Sequence, residues 1–259
     1  MPICFNHKPG LVAYLTAGDP DLATTRTIAL AAIDSGAEVL ELGVPFSDPL
    51  ADGPVIQRAS ERALRNGTKL ADVLTLAAEI RRERPQAGLV LFSYYNPVLR
   101  FGLERFCATA EQAGVDGVLI TDMIVEEADE YLRHLRAHHL APIFLAAPTS
   151  PDERLERIAK ASQGFVYAIS RTGITGTQQQ LASDAEQLVK RLRRFTDLPI
   201  AVGFGISNAD HVAAVSEFAD AAVVGSALVA LIEKSTREEA PSSIARFIKG
   251  LRQPVALAR

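Results

Sequence analysis

Apolar and polar positions along the chain follow two patterns in turn, and this pair of patterns repeats eight times. Short runs that are apolar almost throughout are each followed by a longer stretch with apolar residues at helical spacing. A strand that is apolar on both faces is typical of a parallel sheet covered by helices. The sequence therefore predicts eight parallel strands, over residues 11–17, 38–44, 89–95, 117–122, 142–147, 165–170, 199–205 and 221–227.

The segments between these runs carry the end signals of helices. Gly36 and Gly114 close two amphipathic segments, and the pair Asn66-Gly67 divides residues 55–84 into two helices. Eight strand–helix units in 259 residues match the count and length of a closed barrel. We therefore predict an α/β fold, a single-domain (β/α)8 TIM barrel spanning residues 1–259. A doubly wound open sheet is the weaker alternative, because it usually has fewer strands and an early phosphate loop.

Composition narrows the function classes. The net charge of −4 and the absence of a basic stripe argue against a nucleic-acid surface. The apolar runs are strand-sized, which argues against a membrane span, and the first residues have no apolar leader, so we expect a cytoplasmic protein. Cys4 and Cys107 are the only cysteines, which indicates a reducing compartment and no zinc site.

In a barrel of this kind the chemistry lies at the carboxyl ends of the strands. No lysine or histidine falls at such an end, which disfavours Schiff-base chemistry and a metal-dependent reaction. His134 and His138 have the i,i+4 spacing of a metal-binding pair, but they lie in a charged segment without a third ligand, so we interpret them as surface histidines. Acid–base work therefore falls to carboxylates.

The stretch ELGVPFSDPLADGP, residues 41–54, offers two such carboxylates. Glu41 ends an apolar strand, where partial desolvation raises a carboxyl pKa and suits it to both giving and taking protons. A structural acid bonded to backbone amides is the alternative. Asp52 lies on a loop stiffened by three prolines and is equally consistent with a turn residue before Gly53. We interpret Asp48 as a turn or interface residue and Asp19 as a turn residue or helix cap.

Three glycine-bearing loops follow the last three predicted strands. GFGIS (203–207) and VVGSA (223–227) come after strands seven and eight, and SRTGITG (170–176) comes after strand six. Loops at these positions commonly bind phosphate through backbone N–H groups, and glycine permits the close approach. Ser226 adds a hydroxyl donor. The alternative is that these glycines serve tight turns alone.

Five stretches then combine into a resemblance. They are YLTAGDP (14–20), ELGVPFSDPLADGP (41–54), SRTGITG (170–176), GFGI (203–206) and GSA (225–227). Together, in this order and over nearly the whole chain, they resemble the tryptophan synthase alpha chain family. The resemblance implies a lyase of tryptophan biosynthesis that cleaves indole-3-glycerol phosphate to indole and glyceraldehyde 3-phosphate. It also implies an α2β2 complex in which the beta chain holds pyridoxal phosphate, with no cofactor or metal in this chain.

The resemblance also implies roles for individual residues. Glu41 and Asp52 match the family's catalytic carboxylates, and closure of loop 170–180 would exclude water from them. The other matches are substrate contacts at Tyr14, Phe92, Tyr167, Thr175 and Phe204, phosphate contacts at Gly176, Gly205, Gly225 and Ser226, and a partner interface at Asp48, Pro49 and Asn96.

Two regions depart from the family pattern. The family usually has an amphipathic helix before its first strand, whereas MPICFNHKPG stands here, so we expect the bottom of the barrel to be capped differently. The family usually has a proline-containing turn after its fourth strand, whereas residues 122–127 here read DMIVEE. The local geometry beside the site is therefore expected to differ.

Two rival functions share part of this evidence. Another isomerase or lyase on a phosphate-binding barrel would share the glycine loops, but it gives no reason for Glu41 and the proline-rich loop. A barrel acting only as a regulatory subunit would bind a partner without cleaving a substrate, and it would not need both Glu41 and Asp52.

Overall fold

The computed structural model describes residues 3–169, 178–203 and 205–252, with the backbone alone for residues 178–182. Within these residues nine strands form one sheet in which all the paired neighbours are parallel, in the order β5-β4-β3-β2-β1-β9-β8-β7-β6. The strands are β1 Gly10–Thr16, β2 Val39–Gly43, β3 Gly88–Ser93, β4 Gly117–Ile120, β5 Ala141–Ile143, β6 Leu145–Ala146, β7 Val166–Ile169, β8 Ile200–Gly203 and β9 Ala221–Val224.

The prediction of a parallel α/β barrel is confirmed. The described residues form nine strands, one more than predicted, because the predicted fifth strand is divided in two. In place of the single strand predicted for residues 142–147, the chain forms two short strands, β5 and β6, on either side of Phe144. β5 pairs with β4 and β6 pairs with β7, and the N–H of Tyr167 donates to the carbonyl of Phe144 at 3.1 Å. One stretch of chain therefore bonds to β4 with its first half and to β7 with its second, which brings the two ends of the sheet together.

Helices cover the outside of the sheet. Within the described residues they are α1 Leu22–Asp34, α2 Pro54–Arg65, α3 Leu70–Glu83, α4 Tyr95–Phe101, α5 Leu103–Gln112, α6 Asp129–Ala137, α7 Asp152–Ala161, α8 Gln178–Leu192, α9 Ala209–Ser216, α10 Ser226–Lys234 and α11 Ala240–Leu251, with a 3-10 helix at Val125–Glu127. None of the helices so described is long and apolar enough to cross a membrane.

Several local signals act as predicted, and some predicted strands are too long. Gly67 separates α2 from α3 with φ of +80°, which is a conformation that favours glycine. β3 ends at Ser93 because Tyr95 begins α4, and β9 ends at Val224 because Ser226 begins α10. The side chain of Asp21 caps α1 by accepting from the N–H of Thr24 at 2.8 Å, so a capping role for Asp19 is wrong.

The barrel has two apolar layers because side chains alternate along each strand. One set, which includes Val12, Val39, Val90 and Leu119, fills the inside of the barrel. The other set, which includes Leu40 and apolar residues of the other strands whose side chains face outward, packs against the helices. Both faces of the strands are therefore buried, as the near-continuous apolar runs predicted.

The segment before β1 closes the bottom of the barrel without a helix over the described residues 3–9. Ile3 is buried in the inner layer, and the ring of Phe5 meets Phe165 edge-on with centroids 6.0 Å apart. Two apolar side chains from an irregular segment thus fill the space at the amino ends of the strands.

After β4 the chain makes a short 3-10 helix. Asp122 precedes it, and its carboxylate accepts from the N–H of Tyr95 at 2.7 Å, which ties this loop to the start of α4.

Candidate active site

Glu41 points into the barrel because of its position in β2. Val39 lies in the inner layer, so Glu41, two residues further on, faces the same side, while Leu40 and Leu42 face the helices. In the sheet register Glu41 lies beside Tyr14 of β1 and Val90 of β3. The carboxyl therefore extends from a rigid strand into a space with apolar and aromatic walls.

The carboxyl of Glu41 is fully buried, and neither of its oxygens has a hydrogen-bond partner among the described residues. This burial raises the pKa of Glu41 to about 8, because the charged form loses its hydration without compensation. The group is thus mostly protonated near neutral pH and can give up a proton. A structural acid bonded to backbone amides finds no support in these contacts.

Asp52 lies in a different setting, on the loop between β2 and α2. It is partly buried, and the hydroxyl of Tyr94 donates to its carboxylate at 3.2 Å. The Tyr94 oxygen also accepts from the N–H of Ala51 at 2.9 Å, and its ring packs on Phe46 with centroids 5.1 Å apart. Burial raises the pKa of Asp52 to about 6, while the Tyr94 hydrogen bond lowers it. Asp52 is thus mostly ionised at neutral pH.

Tyr94 is a site residue that the sequence reasoning did not select. It follows β3 directly, and a tyrosine at a strand's carboxyl end was the available signal. Its contact with a residue 42 positions earlier in the chain depends on the path of the loop, which the sequence pattern did not specify.

Two tyrosines and two glycines shape the interior above Glu41. The rings of Tyr14 and Phe92 meet edge-on with centroids 5.1 Å apart. A Cβ at Gly43 would lie 2.3 Å from the Tyr14 oxygen, and one at Gly203 would lie 2.7 Å from the Tyr167 oxygen. The missing side chains therefore make room for both hydroxyls. Burial raises the pKa of both tyrosines well above the usual value, so both keep their protons and can donate hydrogen bonds.

A cavity of about 430 Å³ opens at this end of the barrel. The predicted residues Tyr167, Gly205, Gly225 and Ser226 line it together, so the structure brings them to one place. Gly205 has φ of +74° and open space where a Cβ would stand. Ser226 begins α10, and backbone N–H groups at a helix start favour anions. The lining also includes residues that the sequence reasoning missed, which are Gly203, Val223 and residues 53–56 at the start of α2.

Three predicted site residues lie outside the described residues, and the glycine-bearing loop after β7 lies there with them. They are Thr175, Gly176 and Phe204.

The residues predicted for a partner interface lie on the surface at the same end of the barrel. Asp48 is exposed on the loop after β2, Pro49 beside it is partly exposed, and Asn96 is exposed near the start of α4.

The remaining polar candidates have structural partners. His134 and His138 each contact the carboxylate of Glu104, at 2.7 and 3.1 Å, and His138 also contacts Glu111 at 2.8 Å. In the described part of the chain no group of three or more histidine, cysteine and acidic side chains is arranged to hold a metal ion. Asp19 is buried in an ion pair with Arg62 on α2.

The fold and the site together define a class of protein. A parallel α/β barrel with a proton-carrying glutamate inside it and an anion-favouring cavity at its carboxyl end is the arrangement of a barrel enzyme that acts on a small anionic substrate.

Comparison with known proteins identifies the family within this class. The family model for the tryptophan synthase alpha chain matches residues 4–253. The alpha chain of Solibacter usitatus is 52% identical over 234 residues, which are 90% of this chain and 87% of that protein, and the alpha chain of Geobacter sulfurreducens is 46% identical over 250 residues, which are 96% and 94%. The chain belongs to the tryptophan synthase alpha chain family.

Solved structures agree with this assignment. A structure of the tryptophan synthase a2b2 complex from Pyrococcus furiosus is 42% identical with a TM-score of 0.88, and the match covers 94% of this chain and 98% of that chain. The aminoacrylate-bound tryptophan synthase of M. tuberculosis is 35% identical with a TM-score of 0.85, with 95% and 94% covered.

Proposed function

We propose that this chain cleaves indole-3-glycerol phosphate to indole and glyceraldehyde 3-phosphate, as the alpha subunit of tryptophan synthase in tryptophan biosynthesis. The observation that carries the proposal is the buried Glu41 carboxyl without a hydrogen-bond partner among the described residues. Such a group has no structural bond to satisfy here, and its pKa suits proton transfer near neutral pH.

Glu41 acts as both acid and base in this proposal. Indole is a poor leaving group until its C3 carbon is protonated, and the protonated Glu41 supplies that proton. The resulting carboxylate then takes the proton of the glycerol hydroxyl next to the bond that breaks. The hydroxyl carbon becomes the aldehyde, the electrons of the broken bond return to the ring, and Glu41 ends as it began.

Asp52 stabilises the positive charge that protonation creates. Its carboxylate accepts a hydrogen bond from the indole N–H, and this role requires the ionised form. A pKa of about 6 keeps that form dominant at pH 7. Tyr94 holds the carboxylate by its hydrogen bond, and Phe46 packs on the Tyr94 ring.

The phosphate and the indole ring of the substrate are held at two different places at the carboxyl end of the barrel. We assign the phosphate to the cavity lined by Gly205, Gly225 and Ser226, with Gly176 as a further contact. Anchoring the phosphate orients the bond to be broken. We assign the indole side to the aromatic and hydroxyl side chains Tyr14, Phe92, Tyr167, Thr175 and Phe204.

The partner in this proposal is a tryptophan synthase beta chain in an α2β2 complex. Asp48, Pro49 and Asn96 lie at the carboxyl end of the barrel, where large apolar side chains are also exposed. Leu50 is 93% exposed after β2, Leu99 is 56% exposed on α4, and Ile124 is 43% exposed after β4. A partner that covers these loops would bury this apolar surface.

Three further assignments complete the proposal. The acid–base steps above use side chains of this chain alone, and pyridoxal phosphate belongs to the beta chain. Residues 1–259 form one domain, because one inner apolar layer includes residues of every described strand, with Leu145 of β6 and Tyr167 of β7 among its partly buried members. The protein works in the cytoplasm, where its two cysteines stay reduced.

The test is release of indole from indole-3-glycerol phosphate by the purified chain, alone and with an added beta chain. We expect slow cleavage by the chain alone and a sharp increase with the partner. Absence of cleavage in both conditions would contradict the proposal, and fast cleavage unaffected by the partner would contradict the subunit role.

A further inference from the structure

The first residues of α2 and of α10 lie at the same cavity, so the relative position of these helices affects the geometry of the site. Residues 53–56, at the start of α2, and Gly225 with Ser226, at the start of α10, line the same cavity. α2 also follows Asp52 directly in the chain. A shift of α2 against α10 would therefore change the distance between the Asp52 carboxylate and the phosphate cavity.

The apolar contact between these helices does not fix that position by itself. Ala59 of α2 and Val229 of α10 are buried together with Tyr14 of β1 in one small cluster. Apolar burial is non-directional and contributes in proportion to area. These side chains contribute buried area to the contact between the helices but no directional bond.

Ion pairs from Arg62 supply the missing direction. Its Nε and Nη2 atoms donate to the two carboxylate oxygens of Asp19, each at 2.8 Å, and its Nη1 atom donates to Glu233 on α10 at 2.7 Å. One guanidinium thus joins α2 to the loop after β1 and to α10. A planar guanidinium that binds in a bidentate manner restricts orientation as well as distance.

The surroundings make this contact stronger than an ordinary surface pair. The Asp19 side chain is only 3% exposed, and Arg58, one turn before Arg62 on α2, adds two further donors to Glu233 at 2.9 Å each. These arginines hold the pKa of Glu233 at about 2. By contrast, Arg65 of the same helix pairs with Glu61 at 3.5 Å, and both of those side chains are largely exposed. Exposed pairs of that kind contribute little to stability.

We propose that Arg62 is a positioning residue that holds α2 against α10, so that a ligand can reach the Asp52 carboxylate and the phosphate cavity at the same time. The proposal rests on the proposed function, because it assigns the two ends of one substrate to these two places. The side-chain hydrogen bonds of Arg62 within the described residues go to Asp19 and Glu233 and not to the carboxylate of Asp52.

The test compares two ligands that differ in how much of the site they span. Indole-3-propyl phosphate, which has no hydroxyl to react, spans from Asp52 to the cavity, and glycerol 3-phosphate fills the cavity alone. For Arg62→Met we expect the dissociation constant of the spanning ligand to rise about tenfold, because residues in one ion-pair network are strongly coupled. The dissociation constant of glycerol 3-phosphate should stay within about twofold, because the contacts assigned to its phosphate, Gly205, Gly225 and Ser226, lie outside α2.

Two more variants serve as controls. Arg65→Met removes a positive charge from the same helix without reaching α10, so both dissociation constants should match those of the unmodified chain. Arg62→Lys keeps the charge and loses the bidentate geometry, so the spanning ligand should recover only part of its affinity. If Arg62→Met fails to fold, Glu233→Gln removes the charge on α10 that both Arg58 and Arg62 contact, and it should give the same pattern.

The possible results distinguish failure of the positioning role from failure of the proposed function. Equal weakening of both ligands in Arg62→Met would show general destabilisation and overturn the positioning role, as would unchanged binding of both. Either result leaves the proposed reaction standing if the unmodified chain cleaves indole-3-glycerol phosphate. Failure of the unmodified chain to cleave that substrate overturns the proposed function instead.

Discussion

The two carboxylates of the site, Glu41 and Asp52, lie eleven residues apart on very different supports. Glu41 belongs to a central strand that pairs on both sides, and its carboxyl has no polar partner in the described structure. Asp52 belongs to a loop, and its carboxylate is held by the hydroxyl of Tyr94. The strand gives an apolar and rigid setting, and the loop gives a more polar one.

This difference separates the protonation states of two groups with similar intrinsic acidity. The pKa of Glu41 is about 8 and that of Asp52 is about 6, and burial is the largest cause of both shifts. At pH 7 the first is mostly protonated and the second mostly ionised, which are the forms that a proton donor and a charge stabiliser need. The comparison therefore assigns the roles by environment.

The largest expected effect follows from removing the proton of Glu41. Glu41→Gln keeps the shape of the side chain but cannot transfer a proton, so the rate of indole release should fall by about 10³-fold. Binding of glycerol 3-phosphate should stay unchanged, because the phosphate cavity is intact. Normal turnover in this variant would remove Glu41 from the mechanism.

Replacing Asp52 tests the other half of the comparison. Asp52→Asn removes the negative charge next to the indole N–H, and kcat should fall by about 10²-fold, as for the loss of one electrostatic stabiliser. The matched control is Glu61→Gln, which removes an exposed carboxylate from α2. If both variants lose the same activity, overall charge and not the position of Asp52 is responsible.

Burial of Glu41 should also appear in the stability of the folded chain. Its pKa is about 8 in the fold against the usual value of 4.5 for a glutamate, so between these pH values the folded state holds a proton that the unfolded state has lost. The contribution to stability is complete below pH 4.5 and is lost as the pH rises to about 8, with a slope of about 1.4 kcal/mol per pH unit.

Urea unfolding of the unmodified chain and of Glu41→Gln, between about pH 5 and pH 8, measures this contribution. It is the difference between the free energies of unfolding of the two proteins. The free energy of unfolding of the unmodified chain should fall more steeply with pH than that of the variant. Parallel curves would mean that Glu41 is ionised or solvated in the folded protein.

The smallest expected effect comes from removing the hydrogen bond that Tyr94 donates to Asp52. Tyr94→Phe removes the hydroxyl that donates to Asp52, and the hydrogen bond lowers the pKa of that carboxylate. We expect kcat/KM at neutral pH to fall by about fivefold, in line with one hydrogen bond. The acid limb of the pH profile should move to higher pH, because Asp52 then ionises later. A lower rate without a displaced limb would point to altered packing of Phe46.

Much of the fold and the central part of the site could be predicted from the sequence. Apolar runs without alternation indicate strands buried on both faces, and two-residue periodicity places Glu41 on the same face as Val39 once the strand is accepted. The glycines after β8 and β9 indicate a backbone-lined cavity, and Gly205, Gly225 and Ser226 do line one.

The parts that could not be predicted depend on contacts between distant segments. Tyr94 reaches Asp52, and Arg62 reaches both Asp19 and Glu233, only because of how the loops and helices pack. Asp19 and Asp21 are both plausible caps by residue type, and the orientation of the loop after β1 decides that Asp21 serves. The change of pairing partner at Phe144 is likewise a property of barrel closure, which local sequence does not encode.

The measurement that most directly tests the account is the pH dependence of kcat/KM for indole release between about pH 5 and pH 9.5, the range that spans the apparent pKa values of the free enzyme's acid and base. The substrate phosphate also titrates near pH 6, so the alkaline limb is the informative one. Activity is expected to fall above about pH 8, as Glu41 loses its proton. Activity that stays constant or rises through pH 9 would contradict a protonated Glu41 as the group that starts the reaction.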